Sequence, residues 1–523
     1  MPLPDRDQEW PPPWLKPVQR LYIQHGAWYS GDPDRLSKAY GADVVPGIGL
    51  DLKGWDRPMA NSGGFLGRVS RFFWGSPTPA GQSRSTKLHV PLAGDISSTS
   101  ADLLFSEPPT LRVPGKKSQN RLDKILTEGS VYPSLLEAAE IASAYGGAYL
   151  RVGWDTTMAE YPVVDIIPPD ASVPEFVSGR LWAVTFWRVV AEDNKQVLRH
   201  LERHERGRVY HGLYLGDERR LGIQIPLTEH PETAGFAELV DESGGFDSGY
   251  DKGLLVSYIP NMRPHRRLRG TQLGRSDYSG VEPLMDALDE TYTSWLRDLR
   301  LGKGRIVVPE VYLQNTGRGR GSLWDPDREI YSGIGMLPPP GGGGSNMLTV
   351  SQFAIRTEEH AATAKALVAQ ILRGAGYSTQ TFGEASNDVV ATATEIHSRE
   401  RRSFTTRARK IGYWNPTLAW LADVLLTVDR VVFGTKVSSD RATVEWPDGV
   451  TPDPEAVGRT VNLLKQAEAA SADMRVRMVH PEWDDEQVEA EVERIRREKM
   501  AEFGEDADPY VEAYLPRDDD LAV

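Results

Sequence analysis

The chain of 523 residues contains no cysteine. This absence excludes disulfides, thiolate metal ligands and cysteine nucleophiles, and it fits assembly in a reducing cytoplasm. The sequence also lacks a run of about 18 apolar residues, so we expect no transmembrane helix. Residues 1–13 lack the basic-then-apolar order of a signal peptide.

An excess of positive charge is lacking too. The chain has 60 lysine and arginine residues against 74 aspartate and glutamate residues, for a net charge of −14. A protein that holds DNA tightly presents a basic face that releases counterions from the phosphates. The composition therefore argues against a tight, static DNA binder, although an acidic wall would let DNA slide past without adhering.

Signatures of catalysis are scarce. No Gly-x-x-x-x-Gly-Lys-Ser/Thr motif is present, and Lys303 lies in Gly302-Lys-Gly304 before a strand pattern rather than at the start of a helix. No Gly-x-Ser-x-Gly nucleophile elbow occurs either. We therefore expect no P-loop ATPase, no catalytic residues and no cofactor.

One cluster has the residue types of a metal site. His200, Glu202 and His204 would share one face of a strand at period two, with His211 nearby. They could bind a metal, or they could form a solvated strand face rich in His, Glu and Arg. We favour the solvated face because no H-E-x-x-H pattern on a helix is present.

The hydrophobic periodicity predicts an α+β fold. An amphipathic helical pair occupies residues 121–147, and the period changes to two from Ala148. Strands are predicted at 163–167, 182–190, 197–204 and 208–215, the last three as an antiparallel meander.

The central block has two predicted helices around a loose insert. Ser279 and Glu282 form a capping-box pattern before an apolar stripe that runs from Val281 to Leu299. A strand follows at 305–313, then an insert at 317–345 that is rich in glycine and proline. The second helix spans about 357–373, and Gly374 is the predicted cap.

The longest pattern follows a polar segment at 377–387. It begins at Asp388 and continues through Pro416 to Leu426, whereas an average helix has about 11–12 residues. Such a length is typical of a helix that spans part of a large assembly rather than of one that lines a small pocket. A basic run within it could contact DNA, or it could form salt bridges to a neighbouring acidic subunit or a solvated face. We favour intersubunit contact over DNA contact for this run: Arg399, Arg401, Arg402, Arg407, Arg409 and Lys410.

The order of these elements resembles the portal proteins of long-tailed bacteriophages, including those that infect actinobacteria. The segments that carry the resemblance are Ala27-Trp-Tyr-Ser-Gly-Asp32, Leu88-His-Val-Pro-Leu-Ala-Gly-Asp95, Ala101-Asp-Leu-Leu-Phe-Ser-Glu-Pro-Pro109, Gly274-Arg-Ser-Asp277, Thr392-Ala-Thr-Glu-Ile-His-Ser-Arg399 and His480-Pro-Glu-Trp-Asp-Asp-Glu-Gln-Val488. Two other classes stay open: a different structural protein of the phage head or tail, and a metal-dependent enzyme that processes nucleic acids.

The resemblance implies a portal fold with a wing, a two-helix stem, a β-containing clip, a tunnel loop with a long kinked helix, and a helical crown. Its expected parts are the wing at 1–274, the first stem helix at 275–302, the clip at 303–354, the second stem helix at 355–375, the tunnel loop at 376–388, the long kinked helix and wing return at 389–450, the crown at 451–515 and an acidic tail at 516–523.

The resemblance also implies a function and partners. The chain would form a ring, usually a dodecamer, at one vertex of the capsid in the virion, after assembly in the host cytoplasm. Its expected partners are the major capsid protein and scaffold, the terminase large subunit, the head–tail adaptor and double-stranded DNA bound without sequence specificity, with no membrane.

Two groups of residues are expected to face DNA or partners. The tunnel-loop group comprises Gln380, Thr381, Phe382, Ser386 and Asn387. The clip group, which would contact DNA or the terminase, comprises Lys303, Arg305, Arg318 and Arg320. For Arg318 and Arg320 a solvated surface position is an equal alternative.

Overall fold

The computed structural model describes most of the chain. The described residues are 3–4, 7–40, 88–193, 196–301, 305–307, 349–351, 355–383, 393–439, 441–447, 454–467, 469–480, 483 and 485–505. The chain divides into two compact units. The first comprises Met1–Asn387 and Arg399–Trp446, and the second comprises Asp388–Ser398 and Pro447–Val523.

In the described part of the first unit, the helices alternate with four sheets. Their bounds are α1 Lys16–Ser30, α2 Pro33–Tyr40, α3 Leu92–Phe105, α4 Lys116–Glu128, α5 Val131–Tyr145, α6 Pro231–Ala237, α7 Glu282–Leu301, α8 Thr357–Ala375 and α9 Ala393–Val432. The first residues of α9, up to Ser398, belong to the second unit.

A long antiparallel sheet confirms the predicted meander. Its strands are β4 Ser172–Val177, β5 Arg180–Asp193, β6 Gln196–Glu205, β7 Arg208–Gly216 and β8 Ile223–Ile225 in that order, with β9 Gly245–Asp247 paired to β7.

Smaller sheets connect distant parts of the chain. Strand β2 (Gly147–Gly153) lies between β3 (Val163–Ile167) and β10 (Val256–Pro260). Strand β1 (Thr110–Arg112) pairs with β13 (Thr443–Glu445), so the segment after α9 returns to the start of the fold. The described part of the predicted clip contains one pair, β11 (Arg305–Val307) with β12 (Thr349–Ser351).

Two of the four apolar clusters in the described part of the first unit contain the long helices. One contains buried side chains of α4, α5 and β2 around the second half of α9, which contributes Leu418, Leu421 and Leu425. The other joins the end of α1 and the start of α3 to α7 and α8, where Met285 and Leu288 lie with Ile371 and Leu372. The stripe predicted for the first central helix is therefore confirmed as a packing face at these positions.

Two predicted helix ends are wrong. Glu282 is the first residue of α7 rather than its third, and its carboxylate accepts a hydrogen bond from the Gly280 N–H, so Ser279 and Glu282 do not form a capping box. Helix α8 continues through Gly374 to Ala375. Its cap is Gly376, in the left-handed conformation at φ 103°, where a Cβ atom would also lie 3.0 Å from the Thr406 hydroxyl.

The second unit contains three described helices: α10 Pro454–Gln466, α11 Ala472–Val479 and α12 Asp485–Glu505. Val476, Val488 and Val492 are its buried apolar residues in the described part of the unit. None of the helices in the described residues of either unit has the length and hydropathy needed to cross a membrane.

Candidate functional site: the loop before the long helix and its buried anchors

The loop predicted at 376–388 begins with a well-ordered turn. The N–H of Gly376 and the N–H of Tyr377 both donate to the Leu372 carbonyl, which ends α8. A short 3-10 helix, Gln380–Phe382, follows, and Gly383 adopts φ 75°. The structure thus places Gln380, Thr381 and Phe382 close to the base of the loop, whereas Ser386 and Asn387 lie outside the described residues.

A ladder of hydroxyl groups joins this turn to α9. The Thr381 hydroxyl lies 2.8 Å from the Ser403 hydroxyl and 2.9 Å from that of Ser378, whose N–H also donates to Ser403. One turn further along α9, the Thr406 hydroxyl donates to the Gly376 carbonyl at 2.6 Å. Thr381 is therefore held against its own chain rather than at a free loop tip.

Tyr377 connects the turn to the interior of the first unit. Its side chain is buried, and its ring meets Phe382 edge-on at 6.1 Å between centroids. Its hydroxyl lies 2.8 Å from Asp277 Oδ2. The loop base is thereby connected to the segment that leads into α7.

Asp277 is the centre of a buried polar cluster. Lys410 of α9 donates to Asp277 Oδ2 at 2.5 Å, and the side chains of Asp277 and Lys410 are 1% and 2% exposed. Ser143 donates to Oδ2 at 2.6 Å and Asn261 to Oδ1 at 2.8 Å. With Tyr377 as a further donor, one carboxylate joins α5, the end of β10, α9 and the loop base.

The charge of this carboxylate is stabilised within the protein. Burial by itself raises the pKa of Asp277, but the Lys410 ammonium and the hydrogen bonds from Ser143 and Asn261 outweigh it and hold the pKa below its usual range. Asp277 therefore stays ionised and forms a fully partnered ion pair, the arrangement in which a buried charge is tolerated.

Two glycines bring the backbone close enough for this cluster to form. A Cβ atom on Gly146 would lie 2.7 Å from the Gly274 carbonyl oxygen, and one on Gly274 would lie 2.1 Å from that of Gly146. In this close approach the Asn261 N–H donates to the Gly146 carbonyl, and the Asp277 N–H donates to the Ser143 carbonyl. Any larger side chain at either glycine would push Asp277 away from its donors.

Helix α7 buries three acidic residues, Glu282, Asp286 and Asp289. Glu282 lies 2.9 Å from Arg267 and 3.5 Å from His25 of α1. Asp289 lies 2.7 Å from His89 Nδ1 and accepts the Val90 N–H. Burial raises the pKa of Asp289, a shift that His89 opposes. The base of α7 is thus held to α1 and to the segment before α3 by charged contacts.

The six residues of the basic run do not share one environment. Lys410 is in the buried pair, and Arg407 is buried and donates to the Leu103 carbonyl at 2.6 Å. These two lie inside the chain, so the prediction of intersubunit contact does not hold for them. Arg401, Arg402 and Arg409 are exposed, with Arg402 donating to the Arg373 carbonyl. For these three residues, and for Arg399, whose side chain lies outside the described part, the intersubunit role stays a prediction.

The histidine cluster is buried, so its interpretation as a solvated strand face is wrong. His200 Nε2 lies 3.1 Å from His211 Nδ1, and the two rings are stacked. Phe236 of α6 covers both rings, with its centroid 4.2 Å from that of His211. Burial lowers the pKa of His200 to about 4 and that of His211 to about 3.

Neighbouring charges complete this cluster. Glu202 accepts from His204 and from Arg151, which also pairs with Asp165. Within the described residues, no group of three or more His, Asp or Glu side chains has the geometry to hold a metal ion. The histidines pack and hydrogen-bond within the sheet and with Phe236 above it.

Of the predicted clip group, the structure describes only the backbone of Arg305. Arg305 begins β11, where its backbone pairs opposite Ser351. Lys303, Arg318 and Arg320 lie outside the described residues, so the predicted contacts with DNA or the terminase stay predictions.

The sequence did not predict the buried pair of Asp277 and Lys410. Asp277 stands in the Gly274-Arg-Ser-Asp277 segment that carries part of the family resemblance, and Lys410 stands in the basic run, yet nothing in the spacing connects them. The one available signal is on α9 itself. Ser403, Thr406, Lys410 and Trp414 recur at helical spacing and continue into the buried leucines, which marks one inward face.

These features define a class of protein before any comparison is made. The described part of the chain is a structural framework in which a very long helix and two antiparallel helices are joined at one buried polar cluster beneath a loop. Comparison with protein-family models then identifies it: the model described as phage portal protein, SPP1 Gp6-like, matches residues 81–504. The chain belongs to this family, which is a family of structural proteins of the virion.

The similarity to solved structures is distant. A chain from the virion of a native gene transfer agent particle is 12% identical, with 79% of this chain and 99% of that chain covered and a TM-score of 0.38. Two further chains come from the neck of the empty particle, computed with C6 symmetry, and from the neck of the native particle, computed with C12 symmetry. Each is 12% identical, with 76% of this chain and 91% of that chain covered and a TM-score of 0.39. No curated protein sequence matches the chain.

Proposed function

We propose that the chain assembles into a closed ring at one vertex of a phage capsid and forms the channel through which the genome is packaged and ejected. The observation that carries this proposal is the match of the portal-family model over residues 81–504. Family membership also favours this function over the two alternatives, another head or tail protein and a metal-dependent enzyme. We infer that the chain has no catalytic activity and needs no cofactor.

The elements fit the expected parts of a portal subunit. Helices α7 and α8 would be the stem, since they are antiparallel neighbours that are separated by the β11–β12 pair of the clip. The wing would be 1–274 with the return after α9, and α10 to α12 would form the crown between 451 and 515. An origin in a phage that infects actinobacteria remains a prediction from the resemblance.

The tunnel loop would act from a fixed base. Because Tyr377, Ser378 and Thr381 are bonded to Asp277 and α9, movement would begin beyond Gly383, and Ser386 and Asn387 would be the groups that reach DNA. Gln380 and Phe382, which are half-buried, would support that region. Contacts of uncharged groups suit DNA that must slide.

The ring would join several partners. Lys303, Arg305, Arg318 and Arg320 at the clip would contact DNA or the terminase large subunit. The head–tail adaptor, the major capsid protein and the scaffold would bind other surfaces, and Arg399, Arg401, Arg402 and Arg409 would contact the neighbouring subunit. Double-stranded DNA would pass without sequence specificity.

Electron microscopy of the purified chain, together with its mass in solution, tests the ring. We expect rings with a central hole, of about twelve subunits if the family pattern holds. A compact monomer under every salt condition would contradict the proposal.

A charge substitution tests the loop. In particles complemented with Asn387→Asp, each subunit adds one negative charge at a group that would reach DNA, and we expect intact rings with less packaged DNA. Gln466→Glu adds the same charge on an exposed face of α10 and is the matched control. Equal DNA content in the two variants would argue against a channel-facing loop while leaving the ring proposal standing.

A further inference from the structure

The second unit has an open apolar groove between its three helices. The groove has a volume of about 280 Å³, and its floor is formed by Val461, Ala472, Val476, Val479 and Ile495. Val479 is 46% exposed there, and the unit buries few apolar side chains in its described part. A concave, mainly apolar groove of this kind can receive side chains of another segment or chain.

The rim of the groove is mainly positive. Its charged lining residues in the described part are the cations Lys465 and Arg475 and one carboxylate, Glu491, and His480 lies beside them. That carboxylate is already paired with Arg494 at 2.8 Å. An occupant with apolar side chains and negative charge would therefore match both the floor and the rim.

The sequence immediately beyond α12 has this composition. Residues 506–515 read Asp-Ala-Asp-Pro-Tyr-Val-Glu-Ala-Tyr-Leu, with four large apolar or aromatic side chains, three carboxylates and no basic residue. We propose that this segment of the same chain, named here the acidic segment, docks in the groove, with Tyr510, Val511, Tyr514 and Leu515 on the floor and Asp506, Asp508 and Glu512 towards the rim.

The acidic segment can reach the groove. Ile495 lies ten residues before Glu505, the last described residue of α12, which is about 15 Å along a helix. Five extended residues span up to about 17 Å, so Tyr510 can return to the level of Ile495. Pro509 has no N–H to donate in a continuing helix, which favours an extended course for the acidic segment.

The absence of cysteine allows a direct test. In the full chain, Val479→Cys combined with Tyr514→Cys places one thiol in the groove and one in the acidic segment. Mild oxidation should give a disulfide within one chain, detected as a faster band on a non-reducing gel and as a linked peptide by mass spectrometry. The control pair is Glu489→Cys with Tyr514→Cys, because Glu489 is an exposed residue of α12 that does not line the groove.

Docking predicts a clear difference between the pairs. The groove pair should form its disulfide on the order of tenfold faster than the control pair, because docking raises the effective concentration of the two thiols. Equal rates, or no disulfide in the groove pair, would overturn the proposal.

A mixing experiment separates the same chain from a second copy. Chains with Val479→Cys alone are mixed with chains that carry Tyr514→Cys alone, before assembly. Docking within one chain predicts no link between them. A disulfide that joins two chains would overturn the assignment and give the groove to the acidic segment of a neighbour.

The charge of the rim supplies an independent readout. In the groove pair, Lys465→Glu should slow disulfide formation, and adding Glu512→Lys should restore it, because the reversed charges attract again. Slowing without restoration would contradict the proposed contact of Glu512 with the rim.

Discussion

At the scale of single residues, Asp277 and Lys410 connect parts of the chain that are far apart in sequence. Removing one partner of a buried ion pair leaves an uncompensated charge in a site that water does not reach. The carboxylate here also accepts from Ser143, Asn261 and Tyr377, so the loss of the ammonium alone leaves the remaining donors beside an undercompensated anion. The pair is therefore expected to be the most sensitive point of the loop base.

Lys410→Met tests this expectation, because it keeps the length of the side chain and removes its charge. We expect a loss of about 3–5 kcal/mol in the free energy of unfolding, measured by denaturant unfolding of the unassembled chain. Arg409→Met, on an exposed position of the same helix, is the control and should change stability little. Similar losses in the two variants would show that the buried pair contributes no more to the free energy of unfolding than an exposed arginine does.

The buried histidines predict a dependence of stability on pH. In the folded state the pKa values of His200 and His211 are lowered to about 4 and about 3, against about 6.5 in an unfolded chain. Above pH 6.5 both states bind the same number of protons at these rings. As the pH falls from 6.5 to 4 the unfolded state binds more, so stability is lost over this range, by at most about 3 kcal/mol for each ring.

The thermal midpoint of the unassembled chain between pH 4 and pH 7.5 measures this effect. Glu202 faces both rings and Glu232 faces His200, and these carboxylates raise the pKa values; Arg151 and Arg188 lower them, as burial does, and burial is the largest cause. The double variant His200→Gln and His211→Gln should flatten the pH profile between 6.5 and 4. An unchanged slope would place the pH dependence elsewhere.

At the scale of elements, the loop base, residues 376–383, is fixed to α9 by side-chain hydrogen bonds. Its hydroxyl ladder consists of neutral hydrogen bonds, each worth about 0.5–1.5 kcal/mol. Since the ladder joins a turn to a helix that is itself fixed in the core, loss of one hydroxyl should loosen the turn without unfolding the unit.

Thr381→Val removes the hydroxyl that contacts Ser378 and Ser403. We expect faster amide hydrogen exchange at residues 377–383 and a nearly unchanged global stability. Thr405→Val is the matched control, because the Thr405 hydroxyl bonds only within its own helix, to the Arg401 carbonyl. If exchange in the turn does not change, the ladder does not hold the loop base.

The elements also show what the sequence could and could not predict. Period-two alternation placed the meander, and the apolar stripe placed the face that α7 turns towards α8. The burial of Asp289 and Lys410 could not be predicted in this way. A charged side chain is buried only where the fold supplies an oppositely charged or hydrogen-bonding partner, and their partners lie about 200 and 133 residues away in the sequence. Lys410 therefore looked like part of a surface run, and His200 like part of a solvated strand.

At the scale of the whole molecule, the net charge of −14 sets how the assembled ring would meet DNA. A wall without net positive charge releases few counterions when a duplex enters, so affinity should be weak and its dependence on salt shallow. We expect assembled rings to retain little duplex DNA in a filter-binding assay at 50–200 mM salt, concentrations that are about the range over which basic binders lose most of their affinity. Tight binding that falls steeply with salt would contradict the sliding channel.

The return of the chain from α9 to β1 has a consequence for synthesis on the ribosome. Helices α4 and α5 are complete by Tyr145, but the buried leucines that fill their core begin at Leu418, and β13 reaches β1 only at Glu445. At about 5–20 residues per second, these helices wait roughly 15 to 55 seconds for their packing partner. During that interval the nascent chain exposes an unfinished apolar face, so its early half should be the part that chaperones bind.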